Sequence, residues 1–284
     1  MSAVGAAEDL LLLVLASLVP ALVYLSWVRR TERFQTEAWG HLLRAFALGA
    51  LFATVTAAFV EGVIVYLGTA VSQNYPGPEF VFLNGGSTLG SFFLVLVVAP
   101  FVEEALKATV VYNSRDSIRR VADGPVYGAA AGLGFGFFET FLYGFGAFLV
   151  GGLAAGLTLI VVRSVSSVVL HGSSAGMFGY GFARSRFRVP GAGSGGYYLL
   201  AVAMHSSFNA LASLAAILAF VGVAGVADEV ASVLALLAAV AFAFGAIEHV
   251  RSVIATEDYP ALGGEIRYRS TKRLSPPSPP GGKR

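Results

Sequence analysis

Long apolar runs alternate with short polar stretches along this chain. Runs that reach the roughly 20 residues needed to cross a bilayer fall at about 7–28, 43–67, 90–112, 125–148, 154–183, 197–221 and 228–250. In hydrocarbon the backbone must satisfy its own hydrogen bonds, which within single segments only a helix does. The pattern therefore predicts an all-α polytopic membrane protein with about seven transmembrane helices. Polar stretches sort by charge in support of this. Arg29, Arg30 and Arg33 follow the first run, Arg115, Arg119 and Arg120 the third, and Arg184, Arg186 and Arg188 the fifth. Seven more Lys and Arg lie between Arg251 and Arg284, so sixteen of the nineteen occupy alternate connections. The opposite connections, 68–89, 149–153 and 222–227, hold none. By the positive-inside rule the N-terminus is expected outside and the C-terminus in the cytoplasm.

Composition agrees. Of 284 residues 56% are hydrophobic and 13% charged, about half the charge of a soluble domain, and mean hydropathy is +0.73. There is no cysteine, which excludes disulfides, thiol nucleophiles and iron–sulfur clusters. The first run carries Glu8 and Asp9 in front of it rather than a basic segment, so it reads as a retained span and not a cleaved leader. Three Lys against sixteen Arg, with abundant Ala and Gly, point to a prokaryotic gene and a plasma-membrane protein.

Smaller features complete the layout. Connection 68–89 contains Pro76, Gly77, Pro78, Gly85 and Gly86, which predicts a structured cap or re-entrant turn. Gly128, Gly132 and Gly136 repeat at four-residue spacing, the pattern that lets helix backbones approach closely. Residues 1–253 form the membrane domain. Residues 254–284 form a basic Pro/Gly/Ser-rich tail, expected to be disordered near the anionic inner leaflet.

The chemistry concentrates in the third run, Ser91 to Tyr112, whose interior carries Glu103, Glu104 and Lys107. An ionisable group at a membrane helix centre costs roughly 2.5–3.5 kcal/mol on insertion scales, so three within five residues mark a functional site. Glu61, Glu139, Arg163, His171 and His205 are also embedded, with Asn209 one turn after His205. At 1.5 Å rise per residue, Glu104 and His205 lie about 12 Å deep, Glu103 about 14 Å, and Glu139 and His171 about 20 Å. Groups on four runs can thus meet in one cavity. Glu103 and Glu104 both reach Lys107 at helical spacing, and His205 shares a face with Asn209. Glu103 and Glu104 point about 100° apart, so one can face the cavity. Pro100 should kink the helix and free a carbonyl beside the pair.

A carboxylate beside a second one in a low-dielectric site suits a general base acting on water. His and Asn suit oxyanion stabilisation. Glu and His together, without thiols, can hold zinc. Simpler roles stay open at this point: Glu104–Lys107 as a self-neutralising pair, His171 as an interhelical hydrogen-bonder, Arg163 as partner to a buried Glu, Glu61 as a solvated edge.

Four motifs stand in order: Glu103-Glu104-Ala-Leu-Lys107, Phe135-Gly-Phe-Phe-Glu139, Arg163 eight residues before His171, and His205-Ser-Ser-Phe-Asn209. This resembles the PrsW family of intramembrane proteases, within a wider group of CAAX-prenyl and bacteriocin-processing proteins. Lys107 and Glu139 fit the PrsW branch better than the CAAX branch, which shows E-E-x-x-x-R and F-x-x-x-H. The resemblance covers about residues 90–215 as the catalytic core, the outer spans contributing only topology.

It implies a glutamate- or metal-dependent peptidase cutting a membrane-anchored protein, an anti-sigma-factor-like regulator being one example. The implied catalytic set is Glu103, Glu104, Glu139, His171, His205 and Asn209, with Lys107 and Arg163 in support. In this assignment Glu103 or Glu104 activates water and His205 with Asn209 stabilises the oxyanion. Any Zn2+ would draw on Glu103, Glu104, Glu139, His171 and His205. The bilayer is a partner and nucleic acid is not. Two rival classes carry the same buried charges: a proton- or ion-coupled transporter, for which internal repeats would be expected, and a catalytically inactive scaffold. A retinal-type receptor would need a lysine on the last span, which has none.

Overall fold

The computed structural model describes residues 3–75, 77–222 and 228–258, and these are all-helical apart from turns. The 223–227 connection and the tail beyond Asp258 lie outside the described residues. Helix α1 runs Ala3–Arg29; α2, Trp39–Ala47, continues through a π-turn, Leu48–Ala53, into α3, Thr54–Asn74. A 3-10 turn, Pro78–Leu83, leads to α4, Thr88–Phe93, which continues through a second π-turn, Leu94–Val98, into α5, Ala99–Asn113. Then follow α6 (Asp123–Ser164), α7 (Ser167–Arg186), α8 (Ser194–Ala212), α9 (Leu214–Phe220) and α10 (Asp228–Glu257).

Among the described residues five helical stretches are long and apolar enough to cross a membrane, or six if α8 and α9, bent by 67° at Ser213, count as one. The expected run 154–183 is not one straight helix, because the chain breaks at Val165 and Ser166 between α6 and α7. Helix α10 extends to Glu257, a few residues past the expected end of the membrane domain.

The stretch Asp123–Arg186 has 64 residues and as a straight helix would be about 96 Å long, three hydrocarbon thicknesses. It is folded in two instead. Gly152 has φ 75° and ψ −175°, a conformation essentially closed to side-chain-bearing residues. It lies inside the 149–153 segment read as a connection. On either side the strip of small residues zips in antiparallel register. A Cβ on Gly124, Gly128 or Gly132 would run into the carbonyl oxygen of Gly179, Ala175 or His171, and Gly144 lies against Ile160. The two backbones touch because nothing separates them, which is how His171 comes to face the helix carrying Glu139.

Connection 68–89 is folded onto the end of α3. Gly68 lies against the Leu83 carbonyl, Thr69 Oγ1 accepts from Gly85 N–H, and Ser87 caps α4 through Gly90 N–H at 2.9 Å.

At the end of the bundle where α1, α5 and α10 finish, Arg120 ties three segments together. It reaches Asp123 (2.8 Å), Asp258 (2.8 Å) and Glu32 (3.3 Å). Glu37 N–H donates to Glu32 and Tyr127 O–H donates to Glu37 at 2.7 Å. All four carboxylates are buried. In the connection before α2, burial, reinforced by neighbouring carboxylates, pushes Glu32 up to about 8 against the pull of the Glu37 N–H and Arg120. Burial likewise raises Glu37.

Candidate functional site

Pro100 begins the local architecture. It has no N–H to donate, and the π-turn before it uses i→i−5 bonds: Ala99 N–H goes to Leu94 O. The carbonyl left unserved is that of Val95, five residues before Pro100, and Asn209 Nδ2 donates to it at 2.8 Å. The widened turn sets α5 so that the adjacent acids diverge. Glu103 opens onto a cavity of about 330 Å3, whereas Glu104 lies behind that wall. Spacing alone left open which of the two faced inward.

Lys107 is fully buried and satisfied by three partners: Glu104 Oε1 at 2.9 Å, Glu103 Oε2 at 3.3 Å and His171 Nδ1 at 2.7 Å. Its ammonium also rests 4.2 Å from the centre of the Phe135 ring. An ammonium can only donate, so His171 Nδ1 is an acceptor. The other nitrogen, Nε2, then donates to Glu139 Oε2 at 2.8 Å. Arg163 Nη2 holds the same Glu139 oxygen at 2.7 Å and also donates to Ser167. On α8, His205 Nδ1 donates to Glu104 Oε1 at 3.0 Å, which also accepts from Ser174 Oγ at 2.9 Å. Glu104 Oε2 is buried without a hydrogen-bond partner among the described residues.

These bonds orient what remains. With Nδ1 of His205 donating, its Nε2 carries the lone pair in the neutral ring and lies 3.9 Å from Glu103 Oε2. His171 Nδ1 lies 3.8 Å from the same oxygen. The rings pack edge to face with centroids 4.9 Å apart. Glu103, His171 and His205 each bring a ligand atom within 4.8 Å of the others. Tetrahedral ligation with bonds of about 2.0–2.1 Å implies edges of roughly 3.3 Å; the two edges to Glu103 stand at 3.8 and 3.9 Å, and the third lies within 4.8 Å. Each imidazole is held by a carboxylate on its far nitrogen, the arrangement that orients metal-binding histidines. Donor type and outer support fit a divalent cation, and the Lys107 ammonium, which His171 Nδ1 accepts from here, has to withdraw from that lone pair for His171 to ligate.

The embedded groups thus gather in one network with two exceptions. Glu61 lines the cavity but bonds to none of them, its Oε1 buried and unpartnered. Asn209 lines the cavity beside His205 with its amide engaged on the Val95 backbone and not on the acids or histidines. Sequence reasoning missed Ser174 and Phe135. Ser174 had a signal, standing one turn after His171 on the same face; Phe135 was visible only as a motif letter. A second triad of buried acids, Glu32, Glu37 and Asp123, also lies within ligand range, but Arg120, Tyr127 and backbone N–H groups already serve it.

Comparison with known proteins gives three findings. A family model described as PrsW family intramembrane metalloprotease matches residues 37–245. That range is wider than the four motifs, taking in α2, α3 and half of α10. Protease PrsW of Clostridioides difficile (strain 630) is 26% identical over 178 residues, 62% of this chain. The chain spans 66%, just under two thirds, of that relative's length. No solved structure matches.

Proposed function

We propose that this chain, which belongs to the PrsW family of intramembrane metalloproteases, is an endopeptidase that hydrolyses a peptide bond of a membrane-anchored protein. One observation carries the reading: Glu103, His171 and His205 converge on a membrane-embedded cavity, each histidine backed by a second carboxylate. In this reading Glu103, His171 and His205 hold a divalent cation, zinc by its donor set. Such an ion supplies Lewis-acid activation of water and of the scissile carbonyl.

The chain's own residues bind, orient and move the proton. Glu104 fixes the His205 tautomer and Glu139 that of His171. Arg163 holds Glu139 aimed at His171. Lys107 bridges both acids of the pair, holding them in register. Glu103 Oε2 belongs to the triad, which leaves Oε1 to take the proton of the attacking water and return it to the departing amine. Glu103, His171 and His205 are themselves buried, so their charges act in a low dielectric.

The same reading assigns seven crossings. The hairpin at Gly152 makes two passes of Asp123–Arg186, and the bent α8–α9 pair makes one. The alternation of basic connections supports an outside N-terminus, and the location assigned is the plasma membrane. The substrate is a single-span protein, with a regulator of the anti-sigma type as one class.

Metal content of the detergent-purified protein, paired with cleavage of single-span peptides with and without chelator, tests the mechanism. About one zinc per chain and chelator-sensitive cleavage are expected. Glu103→Gln should lose the metal and at least about 100-fold in rate. Cleavage indifferent to both chelator and Glu103→Gln would sink it.

A further inference from the structure

Among the charged side chains on the cavity wall, Glu61 alone is left without a match. Glu103 is met by Lys107, and Glu139 by Arg163 and His171. Arg163 Nη2 is committed to Glu139 and Ser167 and its guanidinium is stacked 4.1 Å from the Tyr143 ring centre; its Nε is buried without a partner and makes no bond to Glu61. Glu61 Oε1 is shielded and has no hydrogen-bond partner among the described residues, yet the residue lines the same cavity as Glu103. Glu61 is half-buried, with Oε1 its shielded oxygen; leaving a shielded carboxylate oxygen unpaired is unfavourable, so this wall is complementary to a cation that arrives from elsewhere. The wall beside it is built from Thr54, Ala57 and Ala58, side chains small enough to leave a channel along α3. An apolar-stemmed cation fits such a channel, because its methylenes lie on the alanines while its head reaches the acid.

We propose that Glu61 is a specificity-determining residue whose carboxylate receives a lysine or arginine side chain of the membrane-anchored substrate. This rests on the peptidase reading for the identity of the ligand as a polypeptide. Glu61 takes no part in the hydrolysis; it selects and positions the chain that is cut. A charge-assisted hydrogen bond in a shielded site is among the stronger single contacts available, so the preference should be readable from one residue of the substrate.

The experiment uses the purified chain and fluorescent single-span peptides identical except for Lys, Arg or Gln scanned through successive positions. Binding is followed by anisotropy, and cleavage in parallel. At one position Lys or Arg should tighten binding at least about tenfold over Gln. Glu61→Gln should erase that difference, and Glu61→Lys should invert it in favour of a Glu-bearing peptide. Should Glu61→Lys fail to fold, the isosteric Glu61→Gln decides alone. No basic preference at any position, or one that survives in Glu61→Gln, overturns the inference. Binding is read without turnover: a Glu61-dependent preference with no cleavage would overturn the peptidase reading and leave the subsite standing.

Discussion

Asn209 stands one turn after His205, and on spacing alone the two form a donor pair. In the fold its amide instead caps Val95 O, the carbonyl stranded by Pro100. Losing it leaves that acceptor unserved beside hydrocarbon, at a cost of about 1–3 kcal/mol. Asn209→Ala is therefore expected to lower the thermal unfolding temperature in detergent and to slow cleavage only through the displaced α5. Lost turnover at an unchanged unfolding temperature would make Asn209 a chemical participant. The acids and histidines were legible in the sequence because a charge in an apolar run has few innocent explanations. The separate duties of Glu103 and Glu104 were not. They depend on the rotation of α5 about its axis, which the π-turn at Leu94–Val98 resets and no periodicity records. Ser174 stood one turn after His171 on the same face, a signal that gains meaning only once Glu104 is known to lie beside it.

At the scale of elements, the glycine spacing in α6 was readable as a packing surface, though its partner was not. The register with α7 follows from Gly152, where a left-handed residue turns the chain back and pairs Gly124 with Gly179 and Gly132 with His171. Small-residue strips announce close approach; they do not say to which helix. The break between α8 and α9 escaped sequence reading because Ala, Ser and Leu on either side of Ser213 are ordinary helix residues. Orientation is open to direct measurement, since the chain has no native cysteine. Single cysteines placed in 31–38 and in 80–87 should react with an impermeant reagent from opposite sides of sealed vesicles, the first set from the cytoplasmic side. Labelling of both sets from one side would refute the proposed topology.

Across the whole molecule, Arg120 joins the connection after α1, the start of α6 and the end of α10. Glu32 is its weak point. Burial raises it to about 8 from an ordinary 4.5, so the folded state binds its proton more tightly than the unfolded chain does. The stabilisation is complete below the unfolded value and is lost as pH rises through about 8. Between pH 6 and 9 the unfolding temperature should fall by roughly 5 °C, and Glu32→Gln should flatten that slope. An equal slope in the variant would place the titrating group elsewhere. The hairpin about Gly152 also bears on how the protein is made. Its contacts join neighbouring segments, so loop closure is cheap and it can zip as soon as both arms leave the ribosome. Glu139 and His171 are then already paired, while Glu103 and Glu104 wait on an earlier helix and His205 has not been synthesised. On the proposed mechanism, the nascent chain carries no competent centre until α8 inserts.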